Sequence, residues 1–84
     1  MGNKVYIITF KDEYSSGEYY SGVSYVFDTM EKAKNMLEVI KKDEIKEYAD
    51  NGYDIKDNIT DTENGFIIDS GDYTEFEITE MEVK

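Results

Sequence analysis

The segment Lys4 to Phe10 (KVYIITF) is dense in β-branched and aromatic residues and predicts a strand. Alternation puts Val5 and Ile7 on one face and Tyr6, Ile8 and Phe10 on the other. Apolar positions on both faces point to a central strand rather than an edge. Asp12 to Gly17 (DEYSSG) is a loop by its Ser and Gly content. Tyr19 to Asp28 returns as a second strand with Val23, Tyr25 and Phe27 alternating, and the two strands pair as a hairpin with a long tip. From Asp28 the period changes. Met30, Ala33, Leu37 and Ile40, with Met36 beside them, follow helical spacing as far as Tyr48 and Ala49. Asp28 and Glu31 have the spacing of a capping box, and Asn51-Gly52 makes a C-cap.

One residue breaks the helical stripe. Glu44 falls near its centre, so either the helix outruns the sheet there, or it kinks around Lys41 to Glu44 and restarts at Ile45. Beyond the helix, Tyr53, Ile55 and Ile59 alternate weakly. Asn64-Gly65 carries the signal of a type I′ hairpin turn, and Phe66 to Asp69 is a short strand. Ser70-Gly71 makes another turn, and a last strand runs from Tyr73 to about Val83. Its apolar phase shifts: Phe76 and Ile78 share one face, Met81 and Val83 the other. A β-bulge near Thr79-Glu80 would realign them. The expected fold is α+β, one helix packed on a four- to five-stranded antiparallel sheet, in the order ββα followed by two or three strands. Eighty-four residues make a single domain, 1–84.

Composition narrows the chemistry. The chain has no Cys, His, Arg, Trp or Pro. Without Cys there is no disulfide or thiolate nucleophile. Without His the commonest general base and transition-metal ligand is gone. Hydrolase triads, zinc enzymes and haem proteins are therefore excluded, and the reading is of a non-enzyme with no cofactor. Asp57 to Gly65 is rich in oxygen ligands but does not fit the EF-hand template, so no metal site is assigned. The N-terminal apolar run is too short for a signal peptide, and no stretch approaches the ~20 residues of a membrane span. A cytoplasmic protein with no membrane partner is expected.

Charge is unevenly placed. Residues 1–49 carry seven Lys against nine acidic residues, net −2, whereas residues 50–84 carry two Lys against eleven, net −9. Such a field repels nucleic acid and attracts basic partners. Two candidate binding groups follow. The first is the acidic last strand, with Glu75, Glu77, Glu80 and Glu82 in two i,i+2 pairs and Asp69 and Asp72 flanking the preceding turn. Carboxylates at that spacing lie about 6.6–6.8 Å apart on one strand face, of the order of neighbouring phosphates. The plainer alternative is a solvated face that discourages edge pairing. The second group is Tyr14, Tyr19 and Tyr20 around Ser15, Ser16 and Gly17, the composition of adaptable binding loops. The plainer alternative here is that some of these tyrosines cover the sheet face away from the helix.

The small size, the acidic balance, the element order and the Lys-, Ile-, Asn- and Tyr-rich, Arg-free vocabulary resemble small bacteriophage-encoded inhibitors. The stretch Tyr25-Val26-Phe27-Asp28-Thr29-Met30-Glu31-Lys32-Ala33 looks like a strand-to-helix junction of small phage proteins. Members of that class include uracil-DNA glycosylase inhibitor, anti-restriction proteins and anti-CRISPR proteins. The resemblance rests on size and composition and assigns no residue. It implies an inhibitor, cytoplasmic in a bacterial host, that blocks the nucleic-acid site of a CRISPR nuclease, restriction or repair enzyme as a DNA mimic. Two other classes stay open: a sequestering protein for a small molecule or nucleotide signal, acting as a homodimer with its pocket between subunits, and a phage structural or assembly protein.

Overall fold

The computed structural model describes residues 3–83, in which one helix crosses one face of a five-stranded antiparallel sheet. The strands are β1 (Asn3–Glu13), β2 (Tyr19–Phe27), β3 (Ile59–Thr62), β4 (Gly65–Asp69) and β5 (Tyr73–Val83). The helix α1 (Met30–Asp50) follows β2, and a short 3-10 turn, Lys56–Asn58, precedes β3. The sheet order is β2-β1-β5-β4-β3, so β1 is central, as its two apolar faces predict. The α+β architecture and the order ββα followed by three strands match the expectation.

The helix is continuous through Lys41 to Glu44, which removes the kink alternative. Its N-cap is Thr29 rather than Asp28. The Thr29 hydroxyl accepts a hydrogen bond from the Lys32 backbone N–H at 3.2 Å, and the Asp28 carboxylate pairs with the Lys32 ammonium at 2.9 Å. With Lys three residues beyond the cap, no capping box forms. The C-terminus closes as a Schellman motif: Gly52 has φ +88, its N–H donates to Ala49 O, and Tyr53 N–H donates to Tyr48 O.

Ala33 and Leu37 press onto the sheet against Ile8, Phe66, Ile68, Phe76 and Ile78, and Ile55 closes the core from the loop after the helix. Phe66 and Phe76 stack across β4 and β5 with centroids 5.2 Å apart. Tyr53 to Ile55, expected to begin a strand, forms this loop instead, because burying Ile55 under the helix end takes precedence over extending the sheet.

Three register details differ from the expectation. First, β5 pairs with β1 without interruption from Tyr73 to Val83, so there is no bulge at Thr79-Glu80. The phase shift is real: Phe76 and Ile78 face the helix, and Met81 and Val83 face away. Second, the irregularity sits in β2, where Tyr25 pairs with Ile8 but Val23 pairs with Thr9, leaving Ser24 as the extra residue. Val23 is thereby turned to the face opposite Tyr25 and Phe27. Third, the β3–β4 loop is Glu63-Asn64, with Gly65 already paired to Thr62. Among the described residues no non-glycine has positive φ, so this loop is not the type I′ turn that Asn64-Gly65 suggested. Gly65 serves another purpose: a Cβ there would run into the Phe76 carbonyl group, with the carbonyl carbon at 2.8 Å and Glu77 Cα at 2.9 Å.

Candidate functional site

The β1–β2 hairpin tip, the β4–β5 turn and the C-terminal half of α1 meet at one end of the molecule. The tip is a tight loop in which Tyr14 N–H donates to Glu18 O and Gly17 N–H donates to Tyr14 O, both at 2.9 Å. Gly17 adopts φ +95, a conformation that glycine supplies without strain. The Ser15 backbone N–H donates to Asp72 Oδ1 at 2.8 Å and ties the tip to the β4–β5 turn. Tyr14 and Tyr20 meet edge to face with centroids 5.8 Å apart, and the Tyr20 hydroxyl donates to Glu18 at 3.2 Å.

Beneath them Asp12, Tyr14, Glu44, Glu47, Tyr48, Asn51, Thr74 and Phe76 line a cleft of about 250 Å³. Its three carboxylates come from two elements far apart in sequence. Burial pushes the Glu44 carboxyl above the ordinary glutamate value, with Glu47, Asp12 and Asp43 adding repulsion in that order. The Tyr14 phenol is raised chiefly by the Asp12 charge. The Tyr73 phenol is also raised, because its hydroxyl donates to Glu75 at 2.9 Å.

Lys11 stands opposite Glu75 across β1 and β5, on the sheet face away from the helix, but forms no ion pair with it. The ion pairs among the described residues are Lys4–Glu80, Lys32–Asp28, Lys41–Asp61 and Lys46–Asp50, and none involves Asp12, Glu44, Glu47, Asp72 or Glu75. Among the described residues no group of three or more carboxylates has a metal-binding arrangement. No helix among them is long and apolar enough to cross a membrane.

No family model, curated protein or solved structure matches this chain.

The residues singled out from sequence separate into two sets. Tyr14, Tyr20 and Asp72 meet at the cleft end. Asp69 and Glu75 lie beside it, at the C-terminal end of β4 and the start of β5. Tyr19 pairs with Glu13 and faces the side of the sheet away from the helix, where Glu75 and Glu77 also project. Glu80 and Glu82 take the other face, because the uninterrupted register of β5 alternates them against Glu75 and Glu77. Glu75 and Glu82 are about 23 Å apart along the strand from its rise per residue. Glu80 is further engaged by the Lys4 ammonium at 3.2 Å and the Tyr6 hydroxyl at 3.3 Å. The two i,i+2 pairs therefore stand on opposite faces of the sheet and do not merge into one row. Sequence reasoning missed Asp12, Glu44, Glu47, Tyr48 and Tyr73. Glu44 alone left a signal, as the charge interrupting the apolar stripe.

Proposed function

We propose that this chain is a non-enzymatic binding protein whose hairpin-tip end engages a basic surface of a partner protein. The observation that carries the reading is the convergence of Asp12, Glu47 and Asp72 with the exposed Tyr14 and Tyr20, with Glu75 at the same end on the opposite sheet face, where among the described residues none of these carboxylates forms an ion pair with a lysine. Tyrosine supplies contact area at low entropic cost, and unpaired carboxylates steer and orient a cationic surface. A partner that ordinarily holds nucleic acid presents such a surface, so the chain would act as an inhibitor occupying a nucleic-acid site. The phage-inhibitor resemblance is consistent with this class of partner. Mimicry would use the cleft end and the Glu75–Glu77 face rather than a row running to Glu82.

The test is capture from a nuclease-treated bacterial lysate at low and high salt, followed by competition of the captured protein with duplex DNA. Capture at low salt, release at high salt and competition by DNA are expected. Glu47→Gln with Glu75→Gln, or Tyr20→Ala, should weaken capture at least tenfold, while Glu80→Gln with Glu82→Gln leaves it unchanged. If the far-end pair weakens capture as much as the near-end pair, the assignment of this end is wrong.

A further inference from the structure

The sheet face away from the helix is bare, and its chemistry is sorted along the strands. At the end opposite the cleft it presents Val5, Ile7, Val23, Val26, Met81 and Val83, with Asn3, Thr9 and Thr79 between them. None of these nine side chains is charged, in a chain of net charge −11. The charges on the same stretches, Lys4, Glu80 and Glu82, all point to the helix side. Val23 and Val26 are 59% and 57% exposed, Met81 and Val83 50% and 47%. The uninterrupted register of β5 sharpens the contrast. The strand gives its apolar side to the helix as far as Ile78, then gives it to the opposite face at Met81 and Val83, which among the described residues no other element covers.

The molecule is elongated, 49 × 26 × 19 Å, and exposes more surface than a compact monomer of its mass. The chain exposes 5992 Å² at 9.8 kDa, whereas a folded monomer of that mass exposes about 5,200 Å². The surplus of about 800 Å² is of the order one partner contributes to a standard stable interface. The radius of gyration, 14.0 Å, likewise exceeds the roughly 12 Å of a globule of this length.

We propose that this bare face pairs with the same face of a second copy of the chain. Two sheets stack face to face at about 10 Å with their side chains interdigitating, and a two-fold axis makes one patch complementary to itself. Charge selects this occupant over the basic partner of the preceding section. A cationic surface gains nothing from nine uncharged side chains, while two strongly acidic chains approach each other at least cost where neither carries charge. The same repulsion turns the acidic ends to opposite poles of the dimer, which makes it a bivalent binder. The pairing does not depend on the proposed function, and salt separates the two. Screening strengthens association of like-charged copies and weakens capture of a basic protein.

Sedimentation equilibrium of the purified chain at low and high salt tests the proposal. A monomer–dimer equilibrium that tightens as salt rises is expected. Val26→Lys and Met81→Lys should each weaken it tenfold or more, although both lower the net negative charge. Val39→Lys, at an exposed apolar position on the helix, should leave the dimer intact. Far-ultraviolet circular dichroism of each variant checks that the fold persists. Because Val26 is an exposed edge-strand residue, Val26→Thr, which keeps the branched shape, provides a milder variant with a smaller loss in the same direction. A chain that stays monomeric at millimolar concentration in high salt overturns the proposal and leaves the face to a different apolar partner. A dimer indifferent to Val26 and Met81 overturns it too, and puts the contact elsewhere.

Discussion

Replacing Gly65 with alanine adds a single methyl group, yet the structure makes it one of the most damaging changes available to this chain. The new Cβ would overlap the Phe76 carbonyl group, and the atoms it meets belong to the backbone of the neighbouring central strand. No rotamer change can relieve such an overlap, so the start of β4 must lift from β5. Lifting it breaks the hydrogen bond from Ile78 N–H to Asn64 O, 2.8 Å long, worth about 1 kcal/mol net. It also loosens Phe66, which is 1% exposed and stacked on Phe76, and whose full burial is worth about 2–3 kcal/mol. The combined loss is about 3 kcal/mol. A domain of this length has total stability of about 4–12 kcal/mol, and a core of eight buried apolar residues belongs toward the lower end. Urea unfolding followed by circular dichroism and tyrosine fluorescence reads the effect. With a slope of about 1 kcal/mol per molar urea, the midpoint should fall by about 3 M, which at the lower end of that range leaves about 1 kcal/mol and roughly a sixth of the variant unfolded without denaturant. A midpoint within about 0.5 M of the parent would refute the close approach of β4 to β5.

Glu44→Gln should raise stability at neutral pH. The folded state holds the Glu44 proton more tightly than the unfolded state, so ionising the side chain opposes folding. The stability that protonation contributes is complete below the unfolded value and disappears as pH rises through the raised folded value. Urea midpoints of the parent and variant should therefore converge as pH falls from neutral into the mildly acidic range, and equal midpoints at pH 7 would contradict the assignment. Thr29→Ala should lower the urea midpoint by about 1 M through loss of the helix cap, roughly 1 kcal/mol, with no effect on the hairpin-tip site.

The elements legible in the sequence are those whose signal is local. KVYIITF reads as a central strand because its residues are apolar on both sides, and the spacing from Met30 to Tyr48 is helical whatever packs against it. What escaped reading depends on a neighbouring strand. Ser24 becomes a bulge only against Ile8 and Thr9, and Gly65 is required because the Phe76 backbone lies beside it. The Asn64-Gly65 pair imitates a familiar turn while the glycine answers a tertiary constraint. The site was legible in part for the same reason. The tyrosine loop stands out in composition, but Asp12, Glu44 and Glu47 lie in two segments that only the fold brings together. The phase shift in β5 was visible, and its cause was not: a bulge and a change of exposed face leave the same pattern of apolar residues.

The placement of β5 between β1 and β4 governs when the molecule can form. Its partnership with β1 joins residues 60 to 80 positions apart, from Glu13 with Tyr73 to Asn3 with Val83. Closing so long a loop precedes any return from the contacts it permits, and chains built this way fold slowly. During synthesis the hairpin and the helix leave the ribosome without the strand that joins them to β4. Until that strand arrives, KVYIITF waits as an apolar strand with one edge unpaired. The hairpin and helix are therefore made some twenty residues or more before the strand that completes their sheet, and the dense negative charge of residues 50–83 emerges together with that strand.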